Sequence, residues 1–132
     1  MPSGIGGGTV RVGKVTLTAA QIQALVTTPV TVVEAPGAGM ITSILSATAY
    51  IDYNSAAYTG GADILVEYGT ATIVTFDGIL ALTADSVMVA SPSGTATVAA
   101  ATNAAVVVTA DDVPAAGDSP VTVSVVYTLI SL

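Results

Sequence analysis

Histidine, cysteine and tryptophan are absent from the 132 residues, and there is a single phenylalanine. These gaps exclude Ser-His-Asp and Cys-His nucleophiles, thiolate or imidazole metal sites, disulfides and proton transfer by imidazole. Acid–base chemistry would fall to paired carboxylates. A pair of the kind that hydrolyses glycosides must face across a cleft that holds sugar, and nothing in the sequence specifies such a cleft. The expectation is a chain that is not an enzyme, with no catalytic residues and no cofactors.

Positive charge is almost as scarce. The only cations are Arg11 and Lys14, whereas nine acids lie between Glu34 and Asp118, for a net charge of −7. Nucleic-acid binding draws most of its affinity from Lys and Arg neutralising phosphates, so a body with no cation after residue 14 is read as having no nucleic acid partner. An anionic membrane surface would repel it as well. Mean hydropathy is high, at +0.82, yet the longest apolar stretch, residues 96–110, is interrupted by Thr97, Thr102, Asn103 and Thr109. A bilayer span needs about 20 predominantly apolar residues, so no membrane helix is expected. The first eight residues, MPSGIGGG, have neither the charged leader nor the apolar core of a secretory signal, which places the chain in the cytoplasm where it is made.

What is abundant is Ala, Val and Thr, at 23, 20 and 19 residues. Val and Thr favour strands. Residues 1–8 carry no periodic pattern and read as a flexible arm, which with the start of the first strand makes residues 1–14 the N-terminal part; residues 15–132 form one β-sandwich domain. Val10-Arg11-Val12 and Val15-Thr16-Leu17 alternate as a strand, with Gly13 a candidate bulge. Thr18-Ala19-Ala20-Gln21 matches a capping box, and Ile22, Leu25 and Val26 give the short helix that follows one apolar face. Strands are then expected over residues 30–34, 40–53, 62–69, 70–76, 86–90, 95–99, 104–110 and 121–132, separated by turn residues such as Pro36-Gly37, Gly69, Asp77-Gly78 and Ser91-Pro92-Ser93-Gly94. The alanines near residue 100 leave a helical alternative open. In the long strand from Met40, the side of Leu45, Ala47, Ala49, Ile51 and Tyr53 is the better core candidate. Eight to ten short strands at regular spacing predict an all-β, single-domain antiparallel β-sandwich or a jelly-roll-like barrel, with one short helix near the N-terminus.

Three features are candidates for function. The loop of residues 111–120 holds Asp111, Asp112 and Asp118; oxygen ligands there would suit calcium, but the spacing matches no EF-hand and an ordinary solvated turn is the reading preferred, with no metal assigned. Tyr50, Tyr53, Tyr58 and Tyr68 fall within 19 residues of one another and are interface candidates, since Tyr couples large apolar area to a polar tip; half-buried packing explains the cluster equally well. Gly4 to Gly8 mimics a phosphate-binding loop only in composition, because it follows no strand. The strongest hint is the contrast between a cationic start and a body with only 8% charged residues, a surface suited to assembly.

The segments Leu17-Thr18-Ala19-Ala20-Gln21-Ile22-Gln23-Ala24-Leu25, Pro29-Val30-Thr31-Val32-Val33-Glu34-Ala35-Pro36-Gly37-Ala38-Gly39, Asp52-Tyr53 through Tyr58-Thr59-Gly60-Gly61 and the closing strand of residues 121–129 resemble small virion proteins of tailed phages, and within that group the capsid decoration, or cement, proteins. The resemblance covers most of the chain from about residue 15. It implies a β-rich structural protein on the outer surface of the virion capsid, assembled in the host cytoplasm, with the major capsid protein as partner, commonly a homotrimer at local threefold positions whose N-terminal arm reaches across capsid subunits. It carries over no catalytic residues. Arg11 and Lys14 are the capsid-contact candidates, chosen by charge. The alternatives are a phage tail or fibre component, and a surface adhesin or carbohydrate-binding β module.

Overall fold

The structure, a computed structural model, describes residues 9–132. The expected arm of residues 1–8 lies outside the described residues. Eight strands are formed: β1 (Arg11–Leu17), β2 (Val30–Val33), β3 (Met40–Ile51), β4 (Ile64–Tyr68), β5 (Ala71–Phe76), β6 (Ser86–Ala90), β7 (Val106–Ala110) and β8 (Val121–Ser131), with two short helices, α1 (Ala19–Gln23) and α2 (Val98–Ala101). They make two four-stranded sheets in the orders β1-β8-β3-β6 and β2-β7-β4-β5, with every pairing antiparallel. The chain is thus an all-β sandwich. No helix among the described residues is long and apolar enough to cross a membrane.

Alternation explains most of the core. Val121, Val123 and Val125 of β8 are fully buried, opposite Ala47, Ala49 and Ile51 of β3 in the same sheet, and Ile64, Val66 and Tyr68 of β4 with Val106 and Val108 of β7 supply the facing layer. Phe76, Ile79 and Leu80 close one end beneath the turn after β5. Removing such apolar side chains from water stabilises by roughly 1.5–3 kcal/mol each, and the alternating pattern lets two sheets share that gain.

Strand β3 departs from the expected face. Ile44 is buried and Leu45 is 47% exposed, whereas Ala47, Ala49 and Ile51 point inward. The register against β8 shifts between Ile44 and Ser46, so a bulge at Leu45 inserts one residue and switches the inward parity. The N-terminal half of the strand therefore buries Thr42 and Ile44, and Leu45 belongs outside.

Two other expectations are corrected. Gly13 is not a bulge: β1 pairs with β8 without interruption, Gly13 opposite Val125. Glycine is required there because β2 crosses close beneath it; a Cβ would lie 2.6 Å from the Val32 carbonyl oxygen and 2.7 Å from Val33 Cγ2. Residues 95–99 are not a strand, since the Thr97 hydroxyl accepts from the Ala100 N–H and caps α2, the alternative that the alanine run allows. At α1 the anticipated capping box is present in both directions: the Gln21 N–H donates to Thr18 Oγ1 at 3.2 Å and the Thr18 N–H to Gln21 Oε1 at 2.9 Å. The hairpin between β4 and β5 turns at Gly69, whose φ of +58° lies in the left-handed region that glycine enters without strain.

Candidate interaction surface

The antiparallel topology gathers the connections β1–β2, β3–β4, β5–β6 and β7–β8 at one end of the sandwich. Asp residues flank the strands there: Asp52 follows β3, Asp63 precedes β4, Asp77 follows β5, Asp85 precedes β6, and Asp111, Asp112 and Asp118 lie after β7. Seven of the nine acids thus share one end, which neither cation reaches.

Four of these carboxylates tie loops together. Asp118 accepts from the Ser55 N–H (3.1 Å), the Ala56 N–H (2.9 Å), Asn54 Nδ2 (2.9 Å) and the Ser55 hydroxyl. The Ser55 hydroxyl and the two backbone donors hold its carboxyl well below the usual range, at about 2. Asp111 accepts from the Asp63 N–H at 2.7 Å, Asp63 from the Gly78 N–H at 2.9 Å and Asp85 from the Tyr53 N–H at 2.8 Å. The loop of residues 111–120 is therefore stitched to its neighbours, with Ser119 fully buried. Among the described residues no three acids converge as a metal site would require.

The four tyrosines do not form one exposed patch. Tyr58 is 5% exposed, and its hydroxyl donates to the Ser119 carbonyl at 2.6 Å; burial, then the nearby Asp118 charge, pushes its phenol up to about 12. Tyr68 is buried on the inner face of β4, donates to the Thr42 carbonyl, and is shifted upward by burial. Tyr53 is half-buried and donates to the Ser55 carbonyl at 2.9 Å. Only Tyr50 stays outside, on β3 opposite Val87, its phenol shifted upward by partial burial and by Asp52 and Asp85. Two of the interface candidates, Tyr58 and Tyr68, are thus core residues whose polar tips satisfy buried carbonyls.

Arg11 and Lys14 are both exposed on β1. Because they are three positions apart on a strand, they project to opposite faces. Lys14 shares the outward face with Val12 and Thr16, while Arg11 has the parity of Gly13, Val15 and Leu17 and escapes burial only at the start of the strand. One flat partner would not meet both.

The outer face of the β1-β8-β3-β6 sheet is nearly charge-free. It presents Val12, Lys14 and Thr16 of β1, Thr122, Ser124 and Val126 of β8, Ser46, Thr48 and Tyr50 of β3, and Val87 and Val89 of β6. Val12, Val87 and Val89 are 64%, 63% and 70% exposed. The sequence alone places β6 as a strand but does not single out this face, although Val87 and Val89 flanking Met88 in that strand were the available signal. Among the described residues there is no pocket, which leaves the faces, edges and loop ends as the surfaces a partner would meet.

No protein-family model matches the chain, and no curated protein matches it. Among solved structures, a chain of the cyanophage Pam1 capsid asymmetric unit superposes with a TM-score of 0.52 at 23% identity, over 95% of this chain and 87% of that one. The two share a fold.

Proposed function

We propose that this chain is a structural virion protein of a tailed phage, non-catalytic, which decorates and stabilises the outer surface of the capsid as a homotrimer bound to the major capsid protein. The observation that carries the reading is the near-complete overlap, in both directions, with a chain of a phage capsid asymmetric unit. Overlap of that extent means the sandwich is the body of both proteins. The strand order supports it: the sheets run 1-8-3-6 over 2-7-4-5, with every connection except the β4–β5 hairpin crossing between them, the arrangement we read as a jelly roll, an architecture frequent in virus shells. The chemistry agrees, since hydroxyl and small apolar side chains dominate the exposed sheet face and the carboxylates sit at one end. An acidic end turned to solvent keeps bound copies soluble, and Arg11, at the opposite end of β1 from those carboxylates, is the cation assigned to the shell.

The test is to add purified protein to whole virions that lack it and image them by cryo-electron microscopy. Density for the sandwich on the outer shell, with greater resistance of the heads to heat, is the expected result. Density confined to the tail or fibres would overturn the assignment, and so would bare heads at saturating protein.

A further inference from the structure

We propose that copies of this chain join head to tail, β1 of one copy adding antiparallel to β6 of the next so that the β1-β8-β3-β6 sheet continues across the contact. The inference rests on the oligomeric reading above and names the surface through which the copies meet. Among the described residues, both strands lie at the ends of their sheet order, β1 pairing with β8 alone and β6 with β3 alone. Each therefore has a row of backbone groups directed away from the sheet, the template for strand addition. Of the other two edges, β5 is capped by the Ser93 and Gly94 N–H groups, which donate to the Ile73 carbonyl, and β2 is four residues long with a register shift.

Direction and charge make the two free edges complementary. Neighbouring strands alternate in direction, so β1 and β6 run oppositely within one sheet. When two copies stand side by side in the same orientation, β6 of the first therefore meets β1 of the second antiparallel. Strand β1 carries both cations, whereas β6 contains no charge and begins directly after Asp85, with Asp52 following the end of the adjacent β3. In the register that sets Val12 against Val89 of the next copy, Lys14 stands opposite Val87 and diagonal to Asp85. A diagonal neighbour is about 7–8 Å away, within reach of a long side chain. The three valines, each more than 60% exposed, would cover one another in the same step. Cations on β1 deter pairing with a second β1, and Asp85 selects the other edge, so attraction and repulsion both favour the head-to-tail contact. A heterologous contact of this kind closes into a ring when its rotation permits.

The chain has no cysteine, so an introduced pair reports without background. Val12→Cys with Val89→Cys in one chain has no internal disulfide available, because three strand spacings of about 4.8 Å separate β1 from β6 while a disulfide needs Cα atoms within about 7 Å. Oxidation of the full-length variant is expected to give covalent oligomers, whereas Val12→Cys with Thr75→Cys, which moves the second thiol to β5, stays a single chain. In light scattering, Val89→Lys, which sets a cation against the cationic edge, is expected to raise the concentration of half-assembly about tenfold, while Thr75→Lys leaves it unchanged. A single-subunit mass for the unsubstituted protein at micromolar concentration would sink the oligomeric reading and this contact together. An oligomer that neither cross-links through residues 12 and 89 nor responds to Val89→Lys would remove this contact alone.

Discussion

Replacing Tyr58 by Phe deletes one hydroxyl from the loop end of the sandwich and leaves the ring in place. That hydroxyl donates at 2.6 Å to the carbonyl of Ser119, a residue with no exposed surface. The acceptor would remain buried without its donor, which costs about 1–3 kcal/mol. For a chain of this length, each kcal/mol moves the midpoint by roughly 3–4 °C, so the variant should melt about 3–12 °C below the parent. Calorimetry at fixed subunit concentration measures the shift, since assembly also moves the midpoint. Alkaline pH provides an internal check. The Tyr58 phenol stands near 12 in the folded chain against an ordinary value of 10.0. The unfolded chain therefore loses that proton first, and stability should fall as pH rises from 10 towards 12. The Phe variant should lose less over the same range. A midpoint within 1 °C of the parent, or an unchanged alkaline loss, would refute the claim that this hydroxyl braces the loop end.

Acid acts in the opposite sense at Asp118, whose folded value near 2 is depressed from 3.8: its contribution is complete above about 4 and declines as pH falls through 2, so Asp118→Ala should flatten the acid limb of a denaturation profile. Gly117→Ala would set a Cβ 2.2 Å from the Tyr58 ring and is expected to destabilise by about 1–3 kcal/mol in urea titrations. The bulge predicts unequal neighbours: Ile44→Ala should cost about 2–5 kcal/mol, and Leu45→Ala under about 1 kcal/mol because its side chain is already half outside. Among the described residues the buried Thr42 hydroxyl has no partner, so Thr42→Val should leave stability equal or raise it by about 1 kcal/mol.

Local rules were legible wherever local forces decide. The capping box of α1, the turn at Gly69, the bounds of β6 and the alternation of β8 follow from residues within a few positions of one another, and all appear as expected. What stayed hidden depends on contacts between distant segments. The inward face of β3 could not be read past Leu45, because alternation carries no mark of an inserted residue; only the pairing with β8 reveals it. Gly13 looked like a bulge, yet it is glycine on account of Val32, nineteen positions away. The tyrosine cluster left a contact patch and half-buried packing equally open, because nearness in sequence does not fix nearness in space; the fold sends Tyr58 to Ser119 and Tyr68 to Thr42. The gathering of seven acids at one end likewise follows from strand direction, although aspartate at strand boundaries was visible all along.

The bulge at Leu45 also bears on how this sheet can change length. Excising one residue from an ordinary strand inverts every side chain beyond the cut, with apolar groups delivered to solvent and hydroxyls to the interior. Loss of Leu45 does the reverse, because Ile44, Ala47, Ala49 and Ile51 would then fall on one uninterrupted face. Position 45 is a place in a central strand where a codon deletion leaves the interior intact, so related chains one residue shorter there can keep the same core.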